Sequence, residues 1–433
     1  MNPRNLLGLL SHRYDNSIIR RTSLLVVFIV PAFLANLLVH YFATRMLSPQ
    51  NFGIFYVAIT LTNVLFSGST LLHITYIRHL IQVGQELDRS VLVATMYRIQ
   101  RSITFWGMII SFGLFLFLLL IGKSIGIRST LLMVLIIADT YVSYLADLGR
   151  VYLQSIHRVV HLGFYTLLWM GIRLLLCVLG IYWLGTAWAA LAGSTLAALI
   201  VYAGLQIYLA REKGAMILAV PSLPSLKTLG YVFFGFGFLT IISNLDIFLG
   251  YFVLGKKAAG VYSSSSVLPK GILVVITPLI QMLFGVMVAG YLSEKVFRKM
   301  VRKSYAVVFA LTISGASFVG IFKPWMCGGR WGLHMCSAEI LILLLISTIP
   351  LSLLKIAVVL NFVHKKDHLP LWLFVPVVAF AAIVWVTKPD GYHLATDFAF
   401  FSLGTLLFFL AIQRINTLFL LRRQGESVAI RTE

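Results

Sequence analysis

Leu47-Ser-Pro-Gln-Asn-Phe-Gly53-Ile-Phe55 and Leu254-Gly-Lys-Lys-Ala-Ala-Gly260-Val-Tyr262 lie 207 positions apart, about half of the 433-residue chain. Each joins one long apolar run to the next through a tight turn. Each then places a glycine, a β-branched residue and an aromatic at the head of the following run. Two such hairpins, one at the start of each half, describe an internal repeat of two six-helix lobes in the same membrane orientation. Parallel repeats of this kind build secondary transporters, with the substrate site between the repeats.

The runs around the hairpins have the length a bilayer requires. About 20 apolar residues cross a hydrocarbon core roughly 30 Å thick. Twelve runs meet that requirement: 23–44, 52–77, 102–121, 130–148, 162–183, 188–209, 229–254, 261–290, 305–322, 339–361, 371–387 and 395–417. Pro269 and Pro278 predict a kink or break inside 261–290, without dividing it into two spans. The expected fold is an all-α polytopic membrane protein of about twelve transmembrane helices in two lobes around a central cavity. The lobes are 1–210 and 229–433, joined by a cytoplasmic linker at 211–228. Hydrophobic residues make up 60% of the chain and charged residues 11%, against about 25% charged in soluble domains.

The net charge of +21 does not point to nucleic acid, because the basic residues form short clusters between apolar runs. That is the pattern of loops facing anionic lipid. With the N-terminus inside, the expected cytoplasmic segments hold roughly three times as many Lys and Arg as the outside loops. Both termini are therefore expected in the cytoplasm. The first run continues past the length of a signal-peptide core and shows no small-residue cleavage site, so it is expected to remain as a span. Loops this short leave no room for a large catalytic domain. No G-x-x-x-x-G-K-[ST], no HExxH and no zinc-type His/Cys spacing occurs, so no ATPase, metal or cofactor is expected.

Ionisable groups inside spans cost about 2.5–3.5 kcal/mol each on the insertion scale and demand a reason. They are Asp139 and Asp147 in the fourth run, Arg173 in the fifth, Asp246 in the seventh, Lys270 in the eighth and Lys355 in the tenth. Asp246 lies nine residues before the turn at Gly255, and Lys270 nine after Val261. If the return helix begins at Val261, both sit about 13 Å below the outer edge and can pair. Asp139 and Arg173 occupy the middle of adjacent spans and form a second expected pair. Either pair is a structural clip or part of a cavity lining. Basic groups would then meet an anionic substrate, and carboxylates a coupling ion. Lys355 is short enough of its helix end to snorkel toward headgroups. His40 and His73 fit interhelical hydrogen bonding better than proton relay. Ala189, Gly193 and Ala197, at four-residue spacing, predict close helix packing. Cys327 and Cys336 flank one short outside loop and can form a disulfide there. Cys177 is expected to be a small apolar filler.

The stretch Arg45-Met-Leu-Ser-Pro-Gln-Asn-Phe-Gly53-Ile-Phe-Tyr resembles the first hairpin of the polysaccharide transporter family. Asn244-Leu-Asp246 with the Leu254–Tyr262 turn and Ser263-Ser-Ser-Ser resembles the start of that family's second lobe. Gly149-Arg-Val-Tyr-Leu-Gln-Ser-Ile and Gly328-Gly-Arg-Trp-Gly also fit. That family contains Wzx-type O-antigen and exopolysaccharide flippases and belongs to the multidrug/oligosaccharidyl-lipid/polysaccharide exporter superfamily. The resemblance implies alternating access and outward flipping of undecaprenyl-diphosphate-linked oligosaccharide in a bacterial cytoplasmic membrane. It also implies coupling to H⁺ or Na⁺ and a polysaccharide polymerase as partner. Twelve spans, not fourteen, favour a saccharide-repeat flippase over a lipid II flippase. The substrate-site candidates are Arg173, Lys270, Lys355 and Asn244, and the ion-coupling or ion-pair candidates are Asp139, Asp246 and Asp147. A multidrug exporter of the same superfamily is the alternative. A membrane polymerase or ligase is disfavoured, because its long outside loop is missing.

Overall fold

A computed structural model describes residues 27–66, 89–121, 129–155, 158–211, 226–289, 294–328, 333, 336–363 and 368–432. These residues are helical, with no strand among them. That is what a bilayer permits, since each helix satisfies its own backbone groups where no water can. The helices are α1 (Val27–Met46), α2 (Pro49–Phe66), α3 (Arg89–Ile121), α4 (Thr130–Ser155), α5 (Val159–Leu184) and α6 (Ala187–Arg211). They continue with α7 (Leu226–Val253), α8 (Gly255–Ala289), α9 (Glu294–Ile321), α10 (Ala338–Val363), α11 (Phe374–Thr387) and α12 (Gly391–Thr432). A helical turn at Lys323–Gly328 follows α9, and a 3-10 turn at Leu369–Leu373 leads into α11.

Eleven of these helices, α11 counted together with the 3-10 turn that leads into it, are long and apolar enough to cross a membrane. The twelfth, α2, covers the described part of the run 52–77; the rest of that run, with His73, lies outside the described residues. The surfaces the helices turn outward are apolar, as at Phe112, Trp183 and Phe400. In water such a face would be a liability; in lipid it is the expected one.

Local chemistry sets the ends. Ser48 caps α2, its Oγ accepting from the Asn51 N–H at 3.3 Å, and Pro49 opens the helix where no N–H is needed. Gly185 adopts φ +60 and closes α5, its N–H donating to the Ile181 carbonyl. Asp390 caps α12 through the His393 N–H at 2.9 Å, and these contacts hold its exposed carboxyl below the usual carboxylate range. Inside the spans, hydroxyls bond back to their own helices, as Thr140 does to the Ile136 carbonyl and Thr312 to the Val308 carbonyl. Of the kink or break expected at Pro269 and Pro278, the break does not occur: α8 runs as one helix through both.

The described helices fall into two compact units. The first holds α1 and α3–α6; the second holds α2 and α7–α12. The sequence division at 211–228 assigns α2 to the first lobe, whereas by packing it belongs with α7 and α8. The reason is the second glycine of the repeat. A Cβ on Gly260 would lie 2.3 Å from the Pro49 carbonyl oxygen, so the bare Gly260 backbone lets α2 seat against α8. In the first unit, Gly193 works in the same way. A Cβ there would lie 2.6 Å from the Leu176 backbone, and the α5–α6 hairpin closes through this point as the small-residue spacing predicts.

Cys327 and Cys336 form a disulfide, with Cα atoms 4.9 Å apart. It packs against Val319, Leu341 and Leu345, at the end of α9 and the start of α10. Next to it, the Ser337 N–H donates to the Ser265 Oγ of α8 at 2.8 Å, tying the loop to the second unit's central helix. Cys177 stays reduced and buried, donating to the Ala190 carbonyl. In intact cells without reductant, a membrane-impermeant maleimide is expected to label none of the three. After mild reduction it should label Cys327 and Cys336. Free labelling of both before reduction would show that the bond does not form.

Candidate functional site

In the second unit, Asp246 of α7 is fully buried. The Lys270 Nζ of α8 lies 2.7 Å from its Oδ1, and the Tyr262 hydroxyl donates to its Oδ2 at 3.1 Å. The Lys270 ammonium also donates to the Ser243 carbonyl and sits 4.5 Å from the centre of the Phe398 ring. Both carboxylate oxygens are therefore partnered, and the ammonium has a carboxylate, a carbonyl and an aromatic face.

The expected pair forms, but not for the depth reason. α8 begins at Gly255, not at Val261. Lys270 is thus about 10 Å deeper along its helix than Asp246 is along α7. Side-chain direction closes the gap. Helical side chains lean toward their helix N-terminus, so in an antiparallel hairpin Lys270 reaches up toward the turn and Asp246 reaches down.

Tyr262 was not expected as a partner but was legible in the same hairpin, seven residues after the turn at Gly255 where Asp246 is nine before it. Tyr56 of α2, which bonds to Ser266, and Phe398 of α12 were not legible. They come from helices far away in sequence. Asn244 does not join the pair; its amide donates to the Thr240 carbonyl of its own helix.

Lys355 of α10 does not snorkel. Its Nζ turns onto α8, donating to the Thr277 Oγ1 at 3.1 Å and reaching the Leu273 carbonyl at 3.4 Å. No described carboxylate pairs with it, and the charge that acts on it is the Lys270 ammonium.

The first unit holds a looser polar cluster. Asp139 of α4 is buried, facing Ser194 and Thr195 of α6 and within electrostatic reach of Arg173 of α5. The expected direct pair is not made. The guanidinium instead donates to the Asn36 Oδ1 of α1 at 3.3 Å, and the Asp139 Oδ1 and Arg173 Nε are buried without hydrogen-bond partners. His40 of α1 also faces Arg173. Sequence spacing missed Asn36 and the two hydroxyls because each lies on a helix other than α4 and α5. Asp147, one helical stripe from Asp139, pairs with Arg150 of its own helix at 3.0 Å. Among the described residues, no group of His, Cys, Asp and Glu could hold a metal ion.

The described residues thus form a polytopic helical fold with mid-span charges in both units. Solved structures give the particular type, the fold of the MATE transporters of the MOP superfamily. A MOP superfamily transporter from Pyrococcus furiosus matches with a TM-score of 0.64 at 14% identity, covering 92% of this chain and 95% of that one. A multidrug-resistance MATE transporter in an outward-facing conformation matches with a TM-score of 0.65 at 14% identity, over 93% and 96%. A MATE transporter from Vibrio cholerae matches with a TM-score of 0.64 at 14% identity, over 92% and 96%. No family model matches the sequence, and no curated relative does.

Proposed function

We propose that the chain is an alternating-access exporter of small amphiphilic molecules. In this reading it lies in the cytoplasmic membrane of a bacterium, with its basic segments inside. The observation that carries the reading is the fold over 92–93% of the chain that it shares with structures named as MATE transporters. Alternating access needs two states biased by an ion, and Asp139 is the group best placed to take H⁺ or Na⁺. It is a buried carboxylate with one oxygen unpartnered, beside an arginine that is engaged elsewhere. The disulfide agrees with the orientation, since it lies in a loop this topology puts on the oxidising side.

A second reading is outward flipping of a polyprenyl-diphosphate-linked oligosaccharide, with a polysaccharide polymerase downstream. Besides the sequence resemblance, one observation favours it. The second unit turns two lysines inward, and among the described residues Asp246 balances only Lys270. For the Pyrococcus furiosus neighbour, a binding pocket of reverse polarity suggests a different function.

Two assays on one expression series separate the readings: dye and drug efflux in a strain stripped of its own pumps, and surface polysaccharide in a flippase-deficient strain. Efflux alone establishes the first reading and restored polysaccharide the second. Neither activity, at normal membrane abundance, removes both.

A further inference from the structure

We infer that Lys355 is an anion-binding group of the second unit, the contact that receives the negatively charged part of the exported molecule. The inference uses the exporter reading only to say what the anion is attached to.

Lys270, buried, and Lys355, half-buried, differ in charge balance. Lys270 is neutralised locally, with Asp246 at 2.7 Å and the Phe398 ring over its ammonium. Lys355 has one hydroxyl at 3.1 Å and a carbonyl at the limit of bonding distance. The Thr277 hydroxyl gives its own hydrogen to the Leu273 carbonyl, so it can only accept from Lys355. An ammonium carries three donors, and at least one is left for a ligand. The Lys270 charge acts on Lys355 as like on like, but Asp246 offsets it at 2.7 Å, so the positive charge left to attract a negative group is that of Lys355. A purely structural lysine would be expected to pair or to snorkel. Among the described residues this one has no carboxylate partner, and its stem turns its charge inward onto α8.

The chemical class is an anionic group small enough to reach the donor that Lys355 has left once Thr277 and the Leu273 carbonyl have accepted from it. A diphosphate on a lipid carrier and a carboxylate on a small amphiphile share that chemistry. The site does not require Asp246 or Lys270 to break their pair. Lys355 therefore reads substrate charge, and Lys270 holds α7 to α8.

The test uses the full-length protein in lipid nanodiscs, with thermal unfolding followed against inorganic pyrophosphate, farnesyl diphosphate and benzoate, and with chloride as control. For the wild type, at least one of the three probes should raise Tm beyond chloride. Lys355→Met should weaken that response by about tenfold or more, the scale of one lost charge-assisted hydrogen bond. Lys355→Arg should retain most of it. Without ligand, Lys355→Met should be at least as stable as the wild type, because it removes an unbalanced charge. Preference for farnesyl diphosphate over pyrophosphate identifies a lipid carrier, and preference for benzoate a small carboxylate. A wild-type response to none of the probes, or an undiminished response in Lys355→Met, overturns the assignment. If the binding result holds while neither export assay gives activity, the anion site stands and the exporter reading falls.

Discussion

Asp246→Asn and Lys270→Met, made singly, are each expected to destabilise the protein by about 3–5 kcal/mol, and the double variant to recover most of the loss. The asymmetry comes from the bilayer. The Lys270 ammonium sits against Asp246 Oδ1 at 2.7 Å, with the carboxylate fully buried. Removing one member leaves the other charged in a low-dielectric interior, where it must neutralise or drag water in. Removing both leaves neither charge to solvate. Asp246 has a further partner in Tyr262, so Asp246→Asn also alters that bond, and Tyr262→Phe belongs in the cycle as a control of about 1 kcal/mol. Membrane abundance and thermal unfolding measure folding; efflux and polysaccharide export measure function. A folded, active double variant would assign the pair to structure. A folded but inactive one would return Lys270 to the substrate path. Singles as abundant and stable as the wild type would show that the pair is not energetically coupled.

Gly260→Ala is expected to cost about 1–3 kcal/mol, although it adds a single methyl group. The methyl would stand 2.3 Å from the Pro49 carbonyl oxygen and 3.0 Å from its carbonyl carbon, and backbone cannot rotate aside as a side chain can. α2 would have to move off α8. Its repeat partner makes the control. A Cβ on Gly53 meets nothing closer than 3.4 Å, at the Gly260 nitrogen, so Gly53→Ala should be nearly neutral. The repeat thus places a glycine on both helices, while the packing uses the two unequally. Equal effects of the two substitutions on thermal unfolding would mean that the α2–α8 contact is looser than this geometry.

Composition and run length determined the class of this protein, because about 20 consecutive apolar residues have few stable outcomes other than a helix in lipid. The hairpin repeat was also local enough to read, and so was the α5–α6 contact through Gly193. The Asp246–Lys270 pair was legible because both residues lie on one hairpin, where chain connectivity limits what can meet. Its geometry was not, since the start of α8 at Gly255 and the lean of the side chains decide how two residues at unequal depth touch. Everything that needs a third helix was left to the tertiary structure. Arg173 bonds to Asn36 instead of Asp139 because α1 offers a closer acceptor. Lys355 turns onto α8 instead of toward headgroups because Thr277 and the Leu273 carbonyl are there to receive it. α2 belongs to the second unit because a carbonyl from its first turn fits over a glycine that is 207 residues from Gly53 in sequence and next to it in space. Sequence spacing describes one helix or one hairpin at a time, whereas a charge in a membrane takes its partner from whichever helix packs closest.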